Sequence, residues 1–168
     1  MANRRDAIIE AATALLVDRG LEAVHARTVA AEVGVNHAAV HYYFRRRPDL
    51  LRAVIERIQT EIVADVNDGD GSLDSLLRPV PESGSLGAAF ASLVVAAHTY
   101  PELETDVVQL VEAWVSAVAV RLPGARLKRY LRSAPPEHAA RLLVGWVLGS
   151  ALVGADATEL ARSALTKD

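Results

Sequence analysis

Residues 28–51 read TVAAEVGVNHAAVHYYFRRRPDLL. Thr28 opens a short apolar-periodic run through Val29 and Val33. Gly34, which follows, tolerates the left-handed backbone that ends many helices. Asn36 then precedes a second run, His37 to Phe44, and asparagine is a strong helix N-cap. The spacing predicts a short helix capped by Thr28 over Val29 to Val33, and another from His37 to about Arg45. Two short helices joined by a Gly-containing turn outline a helix-turn-helix. On the second of them Val40 and Phe44 share one face by i, i+4 spacing, while His37, Ala38 and His41 occupy another. One face packs and the other is displayed. A major groove about 12 Å wide accepts such a helix, with its N-terminal residues at the base edges. His37 and His41 are therefore the candidates for base reading, and the small Ala38 permits close approach to a thymine methyl.

Outward from this stretch, nearly every periodic segment has helical spacing and none alternates with period two over a useful length. An all-α fold follows. Asn3 caps a first helix, with Asp6 three residues on, that carries Ile8, Ala12, Leu15 and Leu16 to Gly20. Pro48 and Asp49 suit the first turn of a fourth, whose apolar positions Leu51, Ile55, Ile58, Ile62 and Val66 run it to about Asn67. Residues 67–85 are rich in Gly, Pro, Ser and Asp and read as a linker. Further helices are expected near 85–99, 102–121, 136–153 and 156–166, with another near 124–132, punctuated by Pro101, Pro123 and the Pro135-Pro136 pair. The expected organisation is a three-helix DNA-binding domain over 1–47 and a helical ligand-binding and dimerisation domain over 48–168.

Composition narrows the function. With 51% hydrophobic and 23% charged residues the chain can bury a core. It has no cysteine, which excludes disulfides and thiolate metal sites. The start of the chain carries no continuous apolar stretch of the signal-peptide kind, so a cytoplasmic location is expected. The longest apolar run, Leu142 to Ala155, falls short of the roughly 20 residues that cross a bilayer, so no membrane role is expected. The net charge of −3 is unevenly spread: residues 1–52 hold eight arginines against six acids. Only the N-terminal end is polarised to meet a polyanion. No Gly-rich phosphate loop and no nucleophile-base arrangement is recognisable, so an enzyme is not expected. His37 and His41 have the spacing of a metal pair, but structural zinc takes four ligands and nothing nearby supplies two more. No cofactor or metal is expected.

The quoted stretch resembles the TetR family of regulators. That family's pattern is a Thr opening the second helix, an apolar-Ala pair, a Gly-Val turn, a capping Ser or Thr, then Leu-Tyr-x-x-Phe and a Lys shortly before an apolar pair. Here stand Thr28, Val29-Ala30, Gly34-Val35, Asn36, Val40 to Phe44, Arg47 and Leu50-Leu51. The resemblance covers about the first 55 residues and implies DNA contacts at Thr28, Asn36, His37, Ala38, His41, Tyr42, Tyr43 and Arg47. Of these, Thr28, Tyr42, Tyr43 and Arg47 carry the hydroxyls and guanidinium that donate to phosphate. Two departures stand out. His41 replaces the usual Tyr, which alters the sequence read, and Arg47 replaces the usual Lys.

The resemblance further implies a homodimer through the last two helices, about residues 136–166, where Gly145, Gly149 and Ser150 permit close helix contact. Two recognition helices one turn of DNA apart, about 34 Å, would read a palindromic operator. It also implies a small-molecule effector held in the helical bundle, for which His98, Tyr100, Glu112, Trp114 and Trp146 are the candidate polar and aromatic contacts. The implied function is a repressor released from its operator by that effector. The alternative is a dimeric DNA-binding regulator with no effector, controlled by a protein partner or by abundance; the short chain and the linker leave this open.

Overall fold

The computed structural model describes residues 3–70, 72, 85–122 and 134–152; the side chains of residues 85–88 and 150–152 lie outside the description. Every regular element among the described residues is helical, in the order α1 (Arg4–Arg19), α2 (Ala26–Val33), α3 (His37–Tyr43), α4 (Arg47–Asp68), α5 (Ser85–Thr99), α6 (Glu104–Arg121) and α7 (Pro136–Leu152). Single 3-10 turns at Leu21–Ala23 and Pro101–Leu103 precede α2 and α6. The helices expected near 124–132 and 156–166 lie outside the described residues. None of the described helices is long and apolar enough to cross a membrane.

The boundaries follow from local chemistry. Asn3 Oδ1 accepts from the Arg5 N–H at the start of α1, and the N–H of Gly20, at φ 75°, closes its end on the Leu16 carbonyl. At the end of α2, Gly34 adopts φ 70° and ψ 33°; its N–H reaches Ala31 while the Val35 N–H reaches Ala30. That paired closure needs a left-handed residue, which is why glycine stands there. Asn36 caps α3 by accepting from the Ala38 N–H at 3.0 Å. The start of α4 is closed by Asp49, whose Oδ2 accepts the Arg46 N–H at 3.0 Å, the backward half of a capping box.

Two expectations fail. Thr28 does not cap α2; that helix begins three residues earlier than expected, at Ala26, and His25 is its N-cap, with Nδ1 accepting from the Thr28 N–H at 3.4 Å. The Thr28 hydroxyl, 2.9 Å from His25 Nε2, is held by the ring that took its place. The third helix also ends at Tyr43 rather than Arg45, because Phe44 turns to extended backbone with its N–H on Val40.

Two compact units divide the chain. Met1–Ile58 with Ala89–Val108 form the first, Gln59–Ala88 with Gln109–Asp168 the second. The first is built on Ile8, Leu16, Val24, Val29, Val40, Leu50, Leu51 and Leu93, all nearly inaccessible to solvent. Each such aliphatic side chain contributes about 1.5–3 kcal/mol by leaving water. Ala89, Leu93 and Ala96 form the packed stripe of α5, one helical turn apart. In the second unit α6 buries Leu110, Trp114, Val115 and Val118, and α7 buries Ala139, Ala140, Leu143, Val144 and Val147.

Candidate nucleic-acid interface

The recognition segment is laid out by α3. Val40 and Phe44 are 1% and 5% exposed, whereas His37, Ala38, His41 and Tyr42 are open to solvent, Tyr42 at 81%. The His37 and His41 rings stand edge to face with centroids 6.2 Å apart, and those of Tyr42 and Tyr43 edge to face at 5.1 Å. Tyr43 is half-buried. Asn36 is exposed at the head of the same helix, its side chain occupied by the cap. Beneath the displayed face the Arg5 guanidinium lies over the Phe44 ring, 5.4 Å from its centroid, which fixes α1 against the end of α3.

The other expected contacts are placed less uniformly. Thr28 is half-buried and hydrogen-bonded to His25. Arg47 is half-buried too: its Nε donates to the Val24 carbonyl at 2.8 Å and its Nη2 to the Leu21 carbonyl. Arg46, by contrast, keeps a side chain 61% exposed that reaches Asp49 at 3.1 Å and Glu102 at 3.2 Å. Arg52 binds Asp106 at 3.0 Å and the Glu102 carbonyl at 3.1 Å, and the hydrogen bond and charge of Asp106 raise its guanidinium above the ordinary arginine value. A cleft of about 290 Å³, floored by Val40, Phe44 and Leu50, is rimmed by His25, His41, Arg46 and Arg47. Sequence reasoning missed the His25 cap and these ion pairs. Asp49 three residues after Arg46 was a legible capping signal; the Glu102 contact, 56 residues away, had none.

The candidate effector contacts fall in both units. His98 and Tyr100 belong to the first, where His98 is exposed and Tyr100 half-buried. Glu112, Trp114 and Trp146 belong to the second. Glu112 is held by Arg141 in a two-pronged pair of 2.6 and 2.8 Å, whose hydrogen bond keeps its carboxyl below the usual carboxylate range. Trp146 is half-buried. Trp114 is 1% exposed, and its indole N–H has no hydrogen-bond partner among the described residues; the same holds for Arg121 Nε, two turns further along α6.

Capped short helices, a left-handed glycine turn between them and a displayed histidine-tyrosine face define a helix-turn-helix DNA-binding regulator, followed here by further helices. Comparison with known proteins sharpens the class. Residues 8–54 match the family of bacterial regulatory proteins, tetR family. A stretch of 65 residues is 31% identical to the HTH-type transcriptional regulator PksA of Bacillus subtilis, and one of 82 residues is 37% identical to the HTH-type transcriptional repressor LfrR of Mycolicibacterium smegmatis. These stretches cover 39% and 47% of the chain, and only 32% and 42% of the relatives' own lengths. The fold likeness extends further. A Rhodococcus transcriptional regulator assigned to the TetR family superposes over 96% of this chain and 94% of its own, with a TM-score of 0.70 and 26% identity. The N-terminal segment, residues 8–54, is thus similar to the TetR family, and the fold over nearly the whole chain is like that of a TetR-family regulator.

Proposed function

We propose that the protein is a dimeric repressor that binds a palindromic operator through α3 and is released from it by a small-molecule effector. The observation that carries the DNA half of this reading is the division of α3 into a buried Val40-Phe44 face and an exposed face of His37, Ala38 and His41. In this reading His37, Ala38 and His41 meet base edges. Asn36, Tyr42, Tyr43 and Thr28 line the phosphates on either side, and Arg47 adds charge from behind that surface. LfrR bears the name of a repressor, which supports the repressing sense.

Dimerisation is assigned to α7 and the residues that follow it, about 136–166, of which those beyond 152 lie outside the described residues. On α7 Leu142 is 65% exposed beside exposed Gly145 and Gly149, and a methyl built on either glycine meets nothing within 4 Å. An apolar stripe without side-chain bulk lets a second helix approach closely. The effector half is supported by Trp114. A buried donor left unpaired costs about 1–3 kcal/mol, a cost that an acceptor-bearing ligand would remove on binding. Glu112 and Trp146 in the same unit complete the contact set proposed there; the candidates His98 and Tyr100 belong to the other unit.

Selecting bound fragments from sheared genomic DNA, together with sedimentation of the free protein, tests the reading. Enrichment of a twofold-symmetric site by a dimer is expected. A monomer that retains no fragment at low ionic strength would overturn it.

A further inference from the structure

The two adjacent arginines at the head of α4 are bound in opposite ways, and the difference bears on which of them serves DNA. Arg47 spends both arms of its fork on backbone carbonyls, Val24 and Leu21, in the 3-10 turn that leads into α2. Those carbonyls lie in the turn between α1 and α2, where that of Leu21 also accepts the Val24 N–H at 3.0 Å and that of Val24 ends the turn. A guanidinium answers two at once, which a lysine ammonium on its flexible stem does not do with the same geometry. Moving Arg47 to a phosphate would take the guanidinium from the Val24 carbonyl and leave the Leu21 carbonyl with the Val24 N–H alone. Arg46 carries no such debt. Its partners are carboxylates on the surface, Asp49 and Glu102, and an exposed ion pair is weak, about 0–1 kcal/mol. It also rims the same cleft as His41, a residue of the displayed face, so its guanidinium stands beside that face.

Resting on the DNA-binding reading above, we infer that Arg46 delivers the arginine charge to the DNA backbone, that Glu102 occupies it in the free protein as an intramolecular rival of the phosphate, and that Arg47 is a positioning residue holding the turn before α2. Phosphate and Glu102 offer the guanidinium the same chemistry, a planar fork meeting anionic oxygens. DNA binding therefore exchanges one exposed pair for another. Asp49 stays in place, because it also closes the start of α4 through the Arg46 N–H. Arg52 and Asp106 keep the Glu102 segment at hand, since Arg52 grips the Glu102 carbonyl as well as the Asp106 carboxylate. Glu102 thereby sets how much of the affinity for any duplex, specific or not, the protein expresses.

The test is a double-mutant cycle on the full chain, read by anisotropy of a short fluorescein-labelled duplex of mixed sequence over a series of KCl concentrations. Arg46→Ala is expected to flatten the plot of log affinity against log salt by about 0.9, the value of one lost phosphate contact. Glu102→Gln is expected to tighten binding about threefold, and that gain should vanish in the Arg46→Ala background. A charge acting only through the general field would tighten binding equally in both backgrounds, and that result overturns the inference. Arg47→Ala is expected to lower the melting temperature while leaving the salt slope as it was; a slope reduced by about one unit at unchanged melting temperature assigns the phosphate to Arg47 instead. Wild-type protein that ignores the duplex at low salt overturns the DNA-binding reading and this inference together. Binding without coupling between 46 and 102 overturns this inference alone.

Discussion

The two compact units treat their polar groups differently. In the first, helix ends are closed by Asn3, His25, Asn36 and Asp49, and the half-buried Arg47 guanidinium meets two carbonyls. In the second, the Trp114 indole N–H and Arg121 Nε are buried without partners among the described residues, although another arm of Arg121 donates to the Gly69 carbonyl. A surface that must present α3 to a rigid duplex gains from having each donor and acceptor committed. On the proposed effector reading, a core that admits a guest gains from a donor held in reserve. The contrast is between a platform and a proposed receptor, and it can be tested on each side.

The largest effect is expected where the platform is packed most completely. Leu16 on α1 is fully buried, and Leu16→Ala removes its contacts from the core of the first unit. A loss of about 3 kcal/mol is expected from urea unfolding followed by circular dichroism, within the usual range of about 2–5 for such sites. A loss below about 1 kcal/mol would mean that this core is loosely packed and the contrast misplaced.

A smaller effect should separate the second unit from the first. Trp114→Phe deletes an N–H that has no partner among the described residues while keeping an aromatic ring. The lost ring contacts cost stability, but removing an unsatisfied donor returns about 1–3 kcal/mol, so a net change within about 1 kcal/mol is expected in the free protein. The same substitution should weaken binding of any effector that accepts from the indole. A destabilisation approaching that of Leu16→Ala would show that the N–H is satisfied in solution, and the receptor half of the contrast would fail.

What was legible in the sequence follows the range of the forces involved. The caps at Asn3 and Asn36, the glycine stops at 20 and 34 and the proline start of α4 act over two to four residues, and each reads directly from the chain. The buried and displayed faces of α3 read from their spacing for the same reason. Thr28 misled because threonine is the better intrinsic cap, while here a histidine three residues earlier accepts the N–H of Thr28 itself and α2 starts correspondingly earlier. The commitment of Arg47 to Leu21 and Val24, and of Arg46 to Glu102, joins residues 23 to 56 positions apart, and no local pattern announces it. The candidate effector contacts were chosen as polar or aromatic residues in apolar helices. That criterion takes in the buried Trp114, the exposed His98 and the ion-paired Glu112 alike, because exposure depends on tertiary packing.

The smallest effect concerns that ion pair, and it asks whether the second unit also carries committed polar groups at its surface. Arg141 holds the Glu112 carboxyl below its ordinary range chiefly by hydrogen bonding, so the folded protein keeps the charge at acidities where the unfolded chain has lost it. A depressed carboxylate contributes stability that is present above the unfolded value, about 4.3, and lost as pH falls through the lower folded value. Wild type should therefore exceed Glu112→Gln in stability at neutral pH, and the difference should close as unfolding is repeated toward pH 3. Because both side chains are about half exposed, water and salt screen the pair, and the difference should also shrink with added KCl. A gap between the two proteins that is indifferent to both acid and salt would place the contribution of Glu112 in packing of its stem, and the pair with Arg141 would then hold α6 to α7 in geometry but not in energy.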